Sequence, residues 1–441
     1  MWAEFEKSLG RKLPGRFKSL FPAKCVALCV VLGIALLAGG CGFGTLKKDI
    51  EQVAEQAALE GNARVRGPEG HPIVIVVYSV TAKQVADLFL LPRPGPFFFV
   101  LPAGHYQLAA FEDRNRNLSF EPGEEPALLV SDLVLQAGER RKGLDLAIDP
   151  GSTVRIPFAV KAFSPERRGI DQLPALQLGT IAQIDDPHFS EENGELGLWN
   201  PLRFLFDVGA GVYFLEEYDP QKVPVLFVHG AVGSPGDWKH LVRSLDRSRF
   251  QPWLAYYPTA PHLDQLARGL VRAMAALQVK YRFSRLILVA HSMGGLVTRA
   301  ALNYAIENAS TGRVVQVPAF VTISTPWNGH SGAAKGVKYS PTVAPSWEEM
   351  SPGSSFLTRL PQTALASECE YTLLFSYRGG GILGGEANDG TVTVSSELAM
   401  PIQRQAARVM GFDEDHTSIL ESREVAAQLN AILARAVTAK R

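Results

Sequence analysis

Ser292 stands in Arg285-Leu-Ile-Leu-Val-Ala-His-Ser-Met-Gly-Gly-Leu-Val, between a continuous apolar run and a helix-like one. A hydroxyl placed there can attack an acyl carbonyl. Exposing it requires a sharp turn from strand to helix, which calls for small residues two before and two after the serine; Ala290 and Gly294 supply them. At the amino end of a helix the oxygen also lies in positive potential, which favours an anion developing beside it. The alternative is that Ser292 only caps the helix. As a nucleophile, serine needs a base to take its proton and an acid to orient that base. Downstream of Ser292 the chain holds two histidines, His330 in TPWNGHSG and His416 in FDEDHTSIL. Candidate acids are Asp389 in GGEANDGTVTVSS, Glu386 three residues before it, and Asp413 and Asp415 beside His416.

These residues need a frame that brings them together. From about Val223 onward, short apolar runs (VPVLFVHG, PWLAYYP, RLILVAHS, PAFVTIST, YTLLFSY, RVMGFD) alternate with amphipathic stretches. The amphipathic stretches lie near Asp237 to Leu245, Leu263 to Tyr281, after Met293, and Ser418 to Ala436. That alternation predicts an α/β fold, a mostly parallel sheet flanked by helices on both faces. Ser292, Asp389 and His416 each follow one of the predicted strands. Upstream, about Pro72 to Pro150, runs such as IVIVVYSV, FFFVLP, YQLAAF and LLVSDLVL, punctuated by proline and glycine, predict a small β-sandwich.

The strings VLFVHG, VAHSMGGLVTR, TISTPWNG and NDGTV, followed by the late His416, resemble the bacterial lipase and esterase branch of the α/β-hydrolases, including PGAP1-like proteins, from about Val223 to the end. That family orders its triad as serine, acid, histidine. The resemblance therefore implies Ser292 as nucleophile, Asp389 as acid and His416 as base. It also implies that the amides of Ala231 and Met293 hold the oxyanion. His229 is then a neighbour of that hole and His330 lines the pocket. The implied activity is carboxylic ester hydrolysis on a lipid or small ester, without a cofactor. An acyltransferase would use the same triad, and a binding protein with an idle hydrolase body is the remaining alternative. Residues 327–360, rich in small and turn residues with scattered aromatics, have the layout of a cap over a pocket or of an ordinary insertion.

At 441 residues, two or three structural units are expected. Lys plus Arg equal Asp plus Glu at 44 each, so nothing in the net charge draws the chain to nucleic acid. The amino terminus carries Lys7, Arg11, Lys12, Arg16, Lys18 and Lys24, then the uncharged CVALCVVLGIALLA, then Gly39-Gly40-Cys41, a signal-peptide layout. LLAGGC resembles a bacterial lipobox, with Ala38 where leucine is usual, which implies lipidation of Cys41 and an extracytoplasmic, membrane-anchored body; the alternatives are an uncleaved anchor or an ordinary signal peptide, the latter giving a secreted protein. Three of the four cysteines lie in this segment, leaving Cys369 without a disulfide partner after processing. The expected divisions are a signal peptide over 1–40, a tether over 41–70, the sandwich over 71–150, a connecting segment over 151–205 and the catalytic domain over 206–441. GHYQLAAFEDRNRN resembles transthyretin-like sandwich domains. Within it, Asp113, Asn115, Asn117 and Glu124 have a spacing a calcium ion could use, although Leu118 stands where an EF-hand needs glycine. The other reading is an Asx-rich hairpin.

Overall fold

The computed structural model describes residues 42–67, 70–120, 126–152, 154–160, 176–308, 315–379 and 386–438. The proposed signal peptide, Cys41 and Glu124 lie outside these residues. Among the described residues no helix is long and apolar enough to cross a membrane.

The described residues begin with helix α1 (42–54), which leads into a seven-stranded sandwich. Its strands are β1 (Ala57–Val65), β2 (Ile73–Ser79), β3 (Gln84–Leu91), β4 (Gly95–Leu101), β5 (Gly104–Glu112), β6 (Ala127–Leu135) and β7 (Arg140–Ile148). They form one sheet ordered β4-β1-β7 and another ordered β3-β2-β5-β6. Leu59, Phe97 and Phe99 from the first meet Ile75, Phe89 and Leu108 from the second in a shared core. Alternation along each strand places these residues on one face.

Two boundaries differ from the sequence-based expectation. Most of the expected tether is instead structured over 42–54 and 57–65: β1 belongs to the sandwich, and α1 packs Leu46 against Leu198, Ala260 and Ala344. Asp49 accepts a hydrogen bond from the Leu202 amide at 3.0 Å. The polar, lysine- and glutamate-rich composition of this stretch concealed a helix with a narrow buried stripe. The connecting segment over 151–205 likewise contains parts of the carboxyl-terminal α/β unit, β8 (Gln177–Ile181) and α2 (Glu191–Trp199). β8 pairs with β9, so its five residues take their place from a neighbour distant in sequence.

The large sheet continues with β9 (Gly211–Phe214), β10 (Val223–Val228), β11 (Phe250–Tyr256), β12 (Ile287–His291), β13 (Ala319–Ile323), β14 (Glu370–Ser376) and β15 (Arg408–Phe412). Its order is β15-β14-β13-β12-β10-β11-β9-β8. All pairings from β11 through β10 to β15 are parallel, and β9 runs antiparallel to β11. The helices are α3 (Leu263–Tyr281), α4 (Met293–Glu307), α5 (Ser331–Tyr339), α6 (Pro345–Met350), α7 (Ser355–Arg359) and α8 (Arg423–Thr438). Central strands are apolar throughout because helices cover both faces. Val225, Phe227, Val289 and Val321 pack with Leu429, Ile432 and Leu433 of α8. Their neighbours Leu226, Val228, Leu288 and Phe320 pack with Ala267 and Leu277 of α3 and Leu296 of α4.

The sandwich is attached to α3. Arg272 donates to Asp87 at 2.6 Å and to the Leu88 carbonyl at 2.7 Å, and Arg268 reaches Glu60 at 2.9 Å. An apolar cavity of about 280 Å³ lies between the two units, lined by Phe89, Phe98, Val271, Met274 and Leu302 together with Cys369.

The Asx-rich stretch turns its oxygens onto its own backbone. Buried Asp113 accepts from the amides of Asn117 and Leu118 at 3.1 and 3.2 Å. Asn115 accepts from Asn117 at 3.0 Å and Asn117 from Ser119 at 2.8 Å. These bonds hold the bend after β5, where Arg116 and Leu118 have positive φ. Asp113, Asn115 and Asn117, three of the side chains proposed for a cation, therefore serve as turn acceptors.

Candidate active site

The parallel order of β12 to β15 aligns their carboxyl ends, and three side chains converge there. Ser292 follows β12, Asp389 lies in the loop after β14, and His416 follows β15. Between β12 and α4, Ser292 takes φ 51° and ψ −129°. A non-glycine residue in this region costs on the order of 1–3 kcal/mol and persists where its surroundings over-determine it. Here the Ser292 amide donates to the Ile323 carbonyl at 2.9 Å. Gly294 allows α4 to close onto β10, since a Cβ there would lie 2.4 Å from the Val228 and His229 carbonyl oxygens. The strain aims Oγ away from the sheet.

That oxygen lies 2.9 Å from Nε2 of His416. His416 Nδ1 in turn lies 2.6 Å from Oδ2 of Asp389. Ser292 and His416 are 9% and 8% exposed while Asp389 is fully buried, so the chain runs from a solvent-accessible end to a dry one. Asp389 is held by four donors. Oδ1 accepts from the amides of Thr391 and Val392 at 2.9 and 2.6 Å, and Oδ2 accepts from Ser376 Oγ at 2.9 Å as well as from His416. Burial by itself would raise this carboxyl, but the hydrogen bond and charge of His416 and the two amides outweigh it and push it down to about 2. The carboxylate therefore stays ionised. The His416 amide also donates to the Asp389 carbonyl at 2.9 Å, which fixes the two loops to each other.

The other candidates occupy different places. Glu386 is exposed and accepts from Ser395. Asp413 pairs with Arg378, and Asp415 accepts from Thr417 and Ser418 in the turn after His416. His330 caps α5 by accepting from the Ala333 amide at 3.2 Å, and its Nε2 donates to the Thr391 carbonyl at 3.0 Å, bracing the Asp389 loop. Met293 is the first residue of α4, where a backbone amide has no acceptor within the helix. Ala231 is exposed at the end of β10, in a loop held by Val232 donating to Thr259 at 3.3 Å. Next to it, His229 is buried, stacked on Tyr257 at 4.3 Å, with Nδ1 donating to the Gly230 carbonyl at 2.9 Å. Burial pushes His229 down to about 4, so it stays neutral.

Residues 259–434 match the model of an alpha/beta hydrolase family of unknown function (DUF915). The fold is that of an α/β-hydrolase. No curated protein matches the chain significantly. Among solved structures, a gene product of Listeria innocua is similar at 18% identity over 48% of this chain and 94% of that one, with a TM-score of 0.35. The mature Bacillus licheniformis lipase BlEst2 is similar at 19% identity over 50% and 94%, with a TM-score of 0.37. A structure from Nitrososphaera gargenis, from work on carboxylesterases, is similar at 11% identity over 52% and 96%, also with a TM-score of 0.37.

Two parts of this α/β-hydrolase site escaped sequence reasoning. His291, buried beside Ser292, donates from Nε2 to the His416 carbonyl at 2.8 Å and so holds the loop that carries His416. Burial, and then the nearby His416, depress it to about 3, which keeps it neutral. In sequence it reads only as the end of an apolar strand. Beneath Asp389 lies a second group, Ser324, Ser376 and Glu397, all fully buried. Ser376 gave a faint signal as a polar residue closing YTLLFSY; Glu397 gave none.

Helices α2 and α6 pack beside the loop after β10 and the turn after β11. Gly194 of α2 packs on the Ala231 loop so closely that a Cβ would lie 2.4 Å from the Val232 carbonyl oxygen. Trp199 meets Trp347 of α6 edge-on at 6.0 Å. Glu349 pairs with His262 at 3.4 Å, and the Ser346 amide donates to Ala260 at 3.0 Å. The short helices of 327–360 are thus fastened to the turn between β11 and α3. Among the described residues no group of three or more His, Cys, Asp or Glu side chains is placed to hold a metal ion.

Proposed function

We propose that this α/β-hydrolase is an extracytoplasmic carboxylic ester hydrolase, a lipase or esterase anchored to a membrane through Cys41. The observation that carries the reading is the hydrogen-bonded chain from Ser292 Oγ through His416 to Asp389, at 2.9 and 2.6 Å. His416 takes the Ser292 proton as Oγ attacks the acyl carbonyl. Asp389 keeps Nδ1 protonated, so Nε2 is the nitrogen free to accept, and stabilises the imidazolium that forms. The amides of Met293 and Ala231 receive the oxyanion, an interaction whose loss typically costs about 3–4 kcal/mol per donor. Collapse of the tetrahedral intermediate expels the alcohol, protonated by His416, and leaves an acyl group on Ser292. Water activated by the same histidine then releases the acid. The substrate class is a lipid or small ester.

Labelling with a fluorophosphonate probe tests this. The wild-type protein is expected to be labelled and Ser292→Ala to be unlabelled; equal labelling of both, or none of the wild type, refutes it. A series of p-nitrophenyl esters of increasing chain length separates esterase from lipase. Mass analysis of the mature amino terminus tests Cys41.

A further inference from the structure

Beneath the Ser292–His416–Asp389 chain lies a buried carboxyl with no role in the scheme above. Glu397 ends a short turn of helix, Val394–Glu397, and is fully buried. Its Oε2 accepts from the Ser376 amide at 3.2 Å, while Oε1 has no hydrogen-bond partner. Three groups face it: the Asp389 carboxylate, and Ser376 and Ser324 from the ends of β14 and β13. Of these only Asp389 is charged or titrates. The serines are linked to each other at 2.6 Å, and Ser376 donates to Asp389 at 2.9 Å. No cation faces Glu397 within this group. An ionised Glu397 would place a second negative charge in a dry site against Asp389 with one backbone amide and the Ser324 hydroxyl to compensate it. Two buried carboxylates in such proximity do not both ionise; one keeps a proton.

We propose that Glu397 is a positioning residue that works as a neutral carboxylic acid, supporting the Asp389 carboxylate from below and confining the site's negative charge to the carboxylate that contacts His416. Its Oε2 accepts from the Ser376 amide as a carbonyl oxygen, and the proton is carried by Oε1, the oxygen left without a partner. Burial first, and the Asp389 charge second, push Glu397 up to about 9, consistent with this assignment. The four donors already on Asp389 explain which partner gives up the proton. Asp389 is stabilised as an anion, and Glu397 is not.

The inference rests on the proposed triad for its catalytic consequence but not for its protonation state, so two readouts are used. The first is thermal stability against pH for wild type and Glu397→Gln, an isostere of the neutral acid. Between the ordinary glutamate pKa and about 9 the folded state holds a proton that the unfolded chain has lost, so wild-type stability falls as pH rises. The Tm of Glu397→Gln relative to wild type is therefore expected to climb steadily from pH 5 to pH 8. A difference that does not change with pH means Glu397 is ionised and overturns the proposal, whatever the protein's activity.

The second readout is ester hydrolysis by Glu397→Gln and Glu397→Met. The amide can both accept from Ser376 and donate toward Asp389, so it is expected to restore most of the kcat that the thioether loses. The loss in Glu397→Met is expected to be at least ten-fold in kcat with KM little changed. Equal loss in both variants, or none in Glu397→Met once it is shown to be folded, overturns the positioning role. If wild type is not labelled by fluorophosphonate, the hydrolase reading fails while the stability measurement still decides the charge on Glu397.

Discussion

Asp389→Asn exposes the logic of the site because the surrounding donors dictate how the amide must lie. Oδ1 receives the Thr391 and Val392 amides at 2.9 and 2.6 Å, so an Asn NH₂ turned that way would face two N–H donors. The amide oxygen must therefore take the Oδ1 position and the NH₂ the Oδ2 position, 2.6 Å from His416 Nδ1. An NH₂ there can only donate, which selects the imidazole tautomer with Nδ1 bare and the proton on Nε2. The nitrogen 2.9 Å from Ser292 is then unable to accept its proton. In a Ser-His-Asp site the same replacement costs on the order of 10⁴ in kcat. We expect a loss of about 10³ to 10⁴, equivalent to roughly 4–5.5 kcal/mol of transition-state stabilisation, with KM nearly unchanged.

The accompanying stability change is smaller. Asp389 is held at about 2 against an ordinary 3.8, and this depressed carboxyl contributes roughly 2 kcal/mol that is present above pH 4 and lost as pH falls through 2. Because Asn keeps one acceptor, the Tm should drop by less than about 8 °C, and assays at 25 °C report on folded protein. Steady-state hydrolysis of a p-nitrophenyl ester at pH 7.5, with circular dichroism melting, makes the measurement. A variant within ten-fold of wild type, or one whose loss lies entirely in KM, would refute the tautomer argument.

Two other expectations concern the fold. His229 and His291 are held at about 4 and about 3, so the unfolded chain binds protons below pH 6.5 that the folded one refuses. Stability should fall from pH 6.5 toward pH 4, by up to about 1.4 kcal/mol per pH unit for each histidine. His291→Gln should flatten that slope in acid melting curves, and an unaltered slope would contradict the assignment. Leu46→Ala removes a fully buried side chain from the contact of α1 with α2 and the 344–347 region and should cost about 2–5 kcal/mol in urea unfolding. A cost near zero would return 42–54 to the status of a tether.

What could be read without a structure was local chemistry combined with periodicity. The run Leu286 to Ala290 is apolar without interruption because its strand is covered on both sides, and it ends at a turn so tight that Gly294 is sterically required. Those demands act over a dozen residues, so they leave a continuous imprint in the chain. The alternation of strands and helices after Val223 is legible for the same reason. The placement of Asp389 and His416 after successive strands follows from it, because parallel strands bring their carboxyl ends to one edge.

Interactions between distant segments left no such imprint. Helix α1 reads as polar because only a narrow stripe, centred on Leu46, meets α2 and the 344–347 region. Strand β8 is five residues long and is a strand because β9 supplies its partner. The DRNRN stretch offered oxygens at a cation's spacing, and only the bend after β5 decided that backbone amides would occupy them. His291 and Glu397 lie one and eight residues from members of the chain of hydrogen bonds, yet neither type nor spacing marks them. Their roles arise from what burial brings against them, the carbonyl of His416 in one case and the Asp389 carboxylate in the other. Sequence determined which groups carry the chemistry, because reactive groups must be of particular types. The tertiary structure alone decided which protons they hold, because protonation is set by burial and neighbours assembled from across the chain.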